Sequence, residues 1–166
     1  MSFSKDIMID CPKCKKRKAF KIWQSVIVTE DFNLRDMVFS GEIFTFSCDE
    51  CKAKAFIAYP MIYHDYERKF FIYFNPDNKF ESLVETEGYT TKKTSDYLEM
   101  LEMIKIFEDE ISEEKVEELK YKLLSKLKEA KSDTLKGIKD VYYSGKNDEK
   151  ASFYVPQIKG KIDIGL

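Results

Sequence analysis

All four cysteines of the chain lie in two short Cys-x-x-Cys hooks, at residues 11–14 and 48–51. Two intervening residues permit a tight turn that points both sulfurs of a hook toward one centre, while nearby backbone amides can donate to the thiolates. Four thiolates complete the tetrahedral shell of one structural metal ion, most often zinc. We therefore predict one structural Zn²⁺ held by the sulfurs of Cys11, Cys14, Cys48 and Cys51.

The spacing of the hooks also predicts local structure. Residues 15–47 separate them, a stretch of 33 residues that has room for two strands and a short helix. Pro12 fixes one backbone angle of the first turn. Glycine is common directly after the second cysteine of such a turn, because a positive φ is favoured there. Lys15 and Lys52 occupy that position here, so we expect strained or differently shaped turns.

Other uses of the cysteines stay open at this point. Two disulfides would also use all four, but the chain opens without an apolar signal region, which favours a reducing cytoplasm. A redox role for one hook would leave the other unexplained. Iron in a rubredoxin-like site is the alternative metal, because tetrahedral sulfur ligation suits both ions.

Composition indicates a folded core without a membrane span. Apolar residues make up 43% of the chain and aromatic residues 14%, and no apolar run reaches the 18 residues needed to cross a bilayer. The 28 basic side chains nearly cancel the 30 acidic ones, which weakens any expectation of strong generic phosphate binding. We expect a cytoplasmic protein of one ordinary or two small domains.

The predicted fold class is α+β, beginning with a zinc-ribbon-like antiparallel β module over residues 1–78. Strand–turn–strand units around each hook are typical of zinc ribbons, in which the metal replaces part of a small core. A short helix is predicted at 33–39, with Asp31 or Asn33 as its cap and Gly41 as its stop. Strands are predicted at 7–10, 19–29, 42–47, 54–59, 61–63 and 69–74.

Residues 79–166 are predicted to form a second α+β region. The polar loop at 75–78 separates it from the first. A short helix at 79–86 and a strand at 89–92 are followed by helices at about 96–109 and 113–131, the second capped by Ser112. Strands at 139–144 and 152–157 form a C-terminal hairpin, and its exposed edges make a homodimer a further expectation.

A second chemistry is suggested by His64, the only histidine, which adjoins Asp65. A histidine oriented by a carboxylate can act as a general base, since its unperturbed pKa is about 6.5. No nucleophile accompanies it, and four cysteines would fill the metal shell. We therefore expect no enzyme activity and interpret His64 as a packing or turn residue.

Nucleic acid is the stronger alternative. A basic cluster surrounds the first hook and comprises Lys13, Lys15, Lys16, Arg17, Lys18 and Lys21. Phosphate contacts from Lys15, Lys16, Arg17 and Lys18, with Phe20 and Trp23 as a stacking platform, would suit a nucleic-acid-binding zinc ribbon.

Four segments resemble the CpXC family, a group of bacterial and archaeal proteins named for their Cys-Pro-x-Cys hook. They are Cys-Pro-Lys-Cys at 11–14, Ser-Gly-Glu-Ile-Phe-Thr-Phe-Ser-Cys at 40–48, Tyr-Pro-Met-Ile-Tyr-His-Asp at 59–65 and Lys-Ile-Phe-Glu-Asp at 105–109. The resemblance extends over roughly residues 8–128 and implies zinc ligation by the four cysteines. It implies no reaction, substrate or partner, so the preferred hypothesis is a non-enzymatic zinc-binding interaction protein whose protein partner is unidentified.

Overall fold

The computed structural model describes residues 1–77 and 86–166. These residues form two compact units, Met1–Tyr97 and Leu98–Leu166. The domain boundary predicted at residue 78 lies earlier in the chain than this division, because a strand at Thr90–Thr94 pairs with the sheet of the first unit. The helix predicted at 79–86 lies, apart from its last residue, outside the described residues.

The first unit contains a mixed sheet and a separate small hairpin. Its elements are β1 (Phe3–Asp10), β2 (Arg17–Ile27), α1 (Phe32–Ser40), β3 (Thr45–Ser47), β4 (Lys54–Phe56), β5 (Met61–Asp65), β6 (Phe70–Phe74) and β7 (Thr90–Thr94). The five-stranded sheet has the order β1-β2-β5-β6-β7, and β3 pairs only with β4. β2 runs parallel to β5, and β6 runs parallel to β7. The expectation of a wholly antiparallel module is therefore corrected to a mixed one.

Two predicted strands are shorter in the structure. Residues Glu42–Phe44 form a 3-10 turn, and only Thr45–Ser47 of the predicted strand is extended. Ile43 and Phe44 are adjacent and both buried. In a strand, adjacent side chains point to opposite faces of the sheet, so the 3-10 turn is what allows both to be buried on one side. The second strand ends at residue 56 instead of 59. Gly41 ends α1 at φ 74°, as predicted, whereas Asp31 caps the helix without a side-chain hydrogen bond.

An aromatic core holds the β3/β4 hairpin against the five-stranded sheet. Phe44 lies at its centre, with ring centroids 4.9 Å from Tyr59 and 5.4 Å from Phe74. The Tyr59 hydroxyl donates to the Ile43 carbonyl at 2.8 Å and accepts from the Trp23 amide at 3.2 Å. Burial raises the pKa of Tyr59 to about 12, so this bridge between β2 and the 3-10 turn keeps its proton.

The second unit has its own core. Its elements are α2 (Tyr97–Glu108, whose first residue belongs to the first unit), α3 (Glu113–Lys128), α4 (Asp133–Lys136), β8 (Tyr142–Lys146), β9 (Lys150–Val155) and β10 (Gly160–Gly165). Val116, Leu119 and Leu123 of α3 pack in one apolar cluster with Phe153 of β9. The Ser112 hydroxyl accepts from the Lys115 amide at 3.2 Å and caps α3 as predicted.

The C-terminal sheet is larger than the predicted hairpin. It has three antiparallel strands in the order β10-β9-β8, and β10 was not predicted. The α+β class is confirmed. Within the described ranges, no helix is both long and apolar enough to span a bilayer.

Candidate metal centre

The two hooks share one backbone structure. Each is a six-residue turn between paired strand ends, residues 11–16 between β1 and β2 and residues 48–53 between β3 and β4. In the first hook, the Lys15 amide donates to the Cys11 carbonyl, and the Cys11 amide donates to the Lys16 carbonyl. In the second, the Lys52 amide donates to the Cys48 carbonyl, and the Cys48 amide donates to the Ala53 carbonyl. These N···O distances are 2.9–3.0 Å. Two equivalent turns thus connect the strands of two hairpins.

The residue after the second cysteine has a left-handed backbone in both hooks. Lys15 has φ 61° and Lys52 has φ 58°, in the region that glycine adopts without a steric penalty. For a residue with a Cβ this conformation costs about 1 kcal/mol. The turns therefore keep the shape that glycine would allow and carry a small strain, which is one of the two outcomes expected from the sequence.

The structure brings all four predicted sulfurs together. The Sγ atoms of Cys11 and Cys51 are 3.6 Å apart, those of Cys14 and Cys48 are 3.7 Å apart, and all four lie within 4.8 Å of one another. A tetrahedral ion with metal–sulfur bonds of about 2.3 Å requires sulfur separations of about 3.8 Å. The cysteines are not joined by disulfides, whose S–S bonds would be about 2.05 Å. The four cysteines are therefore arranged to bind one metal ion.

Backbone amides favour a thiolate at Cys11, whereas burial opposes one at Cys14. Cys11 and Cys48 are buried, whereas the other two cysteines are half-buried. Hydrogen bonds from the backbone, first from Cys14 and then from Lys13, lower the pKa of Cys11 to about 6. A backbone hydrogen bond from Lys16 lowers the pKa of Cys14, but burial and the neighbouring sulfurs outweigh it and raise that pKa to about 11. Once one thiolate has formed, a second needs positive charge nearby, and a divalent ion supplies it.

Acidic residues of the second hook pair with part of the basic cluster. Lys16 Nζ lies 2.8 Å from Glu50, and Lys18 Nζ lies 2.9 Å from Asp49 and 3.3 Å from Glu50. Hydrogen bonds from these lysines hold the pKa values of both carboxyl groups below their usual range. Two of the four residues predicted to contact nucleic acid therefore bridge the hooks.

The rest of the basic cluster is interleaved with acids across the β1/β2 ladder. Arg17 lies opposite Asp10, and Lys21 lies opposite Asp6. Lys15 is exposed at the turn, and no ion pair involves it among the described residues. Counting charge along the chain did not reveal this pattern, because the opposed acids lie on the neighbouring strand and in the second hook.

His64 lies in an aromatic environment. It is buried in β5 beside Phe71 and Tyr66, at ring-centroid distances of 4.0 and 3.9 Å. Burial lowers the pKa of His64, against the opposing field of Asp65. Asp65 instead accepts hydrogen bonds from the Arg68 amide at 2.9 Å and from its guanidinium at 3.0 Å. The oriented histidine–carboxylate pair considered from the sequence is therefore not formed.

The fold and the site define an α+β protein whose first unit carries, on two equivalent turns, four cysteines arranged to bind one metal ion. The CpXC protein family matches residues 9–120, and the chain belongs to this family. The resemblance drawn from the sequence is thereby confirmed. A search of curated proteins and a search of solved structures each gave no significant match.

Proposed function

We propose that the protein is a structural zinc protein with an interaction role, in which one Zn²⁺ clamps the β1/β2 and β3/β4 hairpins together. The observation that carries this proposal is the crossed pairing of the sulfurs. The two shortest Sγ–Sγ contacts described, Cys11 to Cys51 and Cys14 to Cys48, each join one hook to the other. An ion bound there acts as a cross-link between two distant parts of the chain.

A structural role agrees better with the donor set than a catalytic one. Catalytic zinc sites keep a coordination position for water or substrate, whereas four thiolates leave none. We therefore propose a non-enzymatic protein. Because thiolate ligands need a reducing environment, the proposed location is the cytoplasm.

The nucleic-acid alternative has less support than the sequence suggested. Lys16 and Lys18 are occupied by Asp49 and Glu50. A phosphate backbone would have to displace those carboxylates before it could use the two lysines. We expect no retardation of single- or double-stranded nucleic acid at low salt. A salt-sensitive shift that disappears when Lys15 and Arg17 are changed to alanine would restore this alternative.

Metal analysis of the purified chain tests the proposal. We expect one zinc per chain, and Co²⁺ exchanged into the site should give the intense visible bands of tetrahedral thiolate ligation. Cys11→Ser and Cys48→Ser, one in each hook, should both weaken zinc binding by more than about tenfold, since each removes a thiolate. Ser47→Ala, beside the second hook, is the matched control and should bind zinc like the wild type. A stoichiometry well below one in freshly purified reduced protein, or iron in place of zinc, would contradict the proposal.

A further inference from the structure

β2 has an unpaired edge along most of its length. It pairs with β1 on one side from Arg17 to Ser25, but with β5 on the other side only from Ser25 to Ile27. The Trp23 amide points to that second side, since it donates to the Tyr59 hydroxyl. In an antiparallel ladder every second residue directs its backbone groups away from its partner strand. The register from Trp23 back to Arg17 is regular, so Lys21 shares the orientation of Trp23.

β3 has a matching open edge. The even-numbered residues along β3 direct their backbone groups toward its partner strand β4. The Phe44 carbonyl accepts from the Ile57 amide at 2.7 Å, and the Cys48 amide donates to the Ala53 carbonyl at 2.9 Å. Thr45 and Ser47 therefore direct their backbone groups away from β4. The Thr45 amide is used by the preceding 3-10 turn, which leaves the Thr45 carbonyl and both backbone groups of Ser47 on the open side.

The two open edges line the same cleft. It has a volume of about 500 Å³, and its walls include Lys21 and Trp23 of β2 and Thr45 and Ser47 of β3. The four residues whose backbone groups are directed outward are thus among those that line it. A volume of this size is in the range of ligand-binding clefts. Lys54, the first residue of β4, also lines it.

We propose that this cleft binds an extended acidic segment of a partner protein, which pairs its backbone with the open edge of β2 and lies against the edge of β3. Recognition by strand addition draws affinity from main-chain hydrogen bonds and specificity from alternate side chains. This inference rests on the proposed interaction role and names the surface that performs it.

The charges of the cleft favour an acidic occupant. Lys21 and Lys54 are exposed, and neither has an ion pair within the described part of the chain. Glu42 is the one acid among the lining residues. The aromatic ring of Trp23 offers a flat apolar surface to one side chain of an extended segment. Lys21 and Trp23 lie two residues apart on one face of β2, so an acidic and an apolar residue two positions apart in a paired segment match them.

The metal centre and Tyr59 hold the walls of the cleft in place. The Tyr59 hydroxyl joins β2 to the 3-10 turn through Trp23 and Ile43. At the other end, the sulfurs of the two hooks converge where β2 begins and β3 ends. A preformed cleft lowers the conformational entropy lost on binding.

Selection from a phage-displayed library of random heptapeptides tests the proposal, with zinc-loaded protein as bait. We expect enriched peptides in which an acidic and an apolar residue lie two positions apart. Synthetic copies should change the fluorescence of Trp23, which is the only tryptophan. N-methylation of alternate peptide amides should weaken binding at least tenfold, because it removes backbone donors. Unaltered binding after N-methylation would overturn the proposed strand pairing.

Charge reversal supplies the matched protein variants. The double variant Lys21→Glu/Lys54→Glu should bind the selected peptides at least tenfold more weakly than the wild type. Lys5→Glu changes an exposed lysine of β1 that does not line the cleft, and it should bind like the wild type. The zinc content of each variant, and its Trp23 emission measured without peptide, show that the variant is folded.

Two further outcomes would overturn the inference. One is a library that yields no peptide favouring the wild type over the double variant. The other is a concentration-dependent dimer that the double variant abolishes, since the cleft would then hold a second copy of this chain. Zinc analysis separates these failures from failure of the proposed function: peptide binding without zinc would contradict the metal clamp, whereas zinc at one per chain without peptide binding would contradict only the cleft.

Discussion

Removal of the metal from the intact chain is expected to unfold the first unit and leave the second folded. A cross-link between Cys14 and Cys48 closes a loop of 33 residues, which by chain entropy stabilises the fold by roughly 4 kcal/mol. The apparent binding free energy of structural zinc is about 10–16 kcal/mol, and the whole stability of a typical domain is about 5–15 kcal/mol. The loss of zinc therefore removes as much free energy as the first unit can be expected to have.

Two spectroscopic signals follow the two units separately. Trp23 lies in the first unit and is the only tryptophan, so its emission reports that unit. The 16-residue helix α3 belongs to the second unit, as does all of α2 after its first residue. Upon addition of a zinc chelator we expect the emission of Trp23 to shift to the red, while most of the helical circular dichroism is retained.

The control is the return of zinc under reducing conditions, which should restore the native emission. Cys48→Ser, already weakened in metal binding, should respond to much less chelator than the wild type. Native emission from a protein that retains less than about a tenth of an equivalent of zinc would refute the reasoning, because the fold would then stand without its cross-link. Equal loss of the helical signal would contradict the independence of the two cores.

Three substitutions test other features of the structure. Tyr59→Phe removes the hydroxyl that joins the Trp23 amide to the Ile43 carbonyl, and it should lower the free energy of unfolding by about 1–3 kcal/mol in a urea titration. Tyr121→Phe, at an exposed tyrosine, should have no effect. His64→Phe should flatten the pH dependence of stability: burial lowers the pKa of His64, so its contribution is complete above the unfolded pKa of about 6.5 and is lost as the pH falls toward the lowered folded value. An identical pH profile for the wild type and this variant would contradict that assignment. Glu102→Leu removes the carboxylate that accepts from Lys120 at 2.8 Å and should destabilise the second unit by about 3 kcal/mol, measured as a loss of helical circular dichroism at lower urea concentration. Glu102→Gln should lose less stability, because its amide oxygen can still accept a hydrogen bond. Equal losses in the two variants would argue against a role for the charge.

The sequence predicted the site better than it predicted the sheet around it. The hooks could be recognised because their spacing is a local requirement of metal binding, independent of distant contacts. The strands beside them could be recognised from their aromatic and branched residues. Helices α2 and α3 followed from apolar periodicity, and the start of α3 followed from the Ser112 cap.

The parallel pairings could not be predicted in the same way. β2 and β5 are neighbours only because residues 28–60 form a crossover that contains α1 and the β3/β4 hairpin, and no local pattern specifies where a crossover returns. β10 was missed because its six residues begin and end with glycine, and glycine is a weak strand former. The 3-10 turn at Glu42–Phe44 was interpreted as strand because branched and aromatic residues such as Ile43 and Phe44 are common in strands.

The basic cluster shows a different limit of sequence reasoning. Lys16 and Lys18 were grouped with their neighbours in the chain, but their partners Asp49 and Glu50 lie in the other hook. The same convergence that gathers the sulfurs gathers these charges. A signal was present in the sequence, since the second hook has two acids between its cysteines. It becomes informative once both hooks are placed around one ion.

The lysines that follow each hook have an electrostatic consequence. A divalent ion bound by four thiolates has a formal charge of −2, and Lys15 and Lys52 each contribute one positive charge directly after a ligand. Glycine would relieve about 1 kcal/mol of backbone strain at each position but would leave the anionic shell uncompensated there. The two turns therefore combine a glycine-like geometry with one positive charge each beside the anionic sulfur shell.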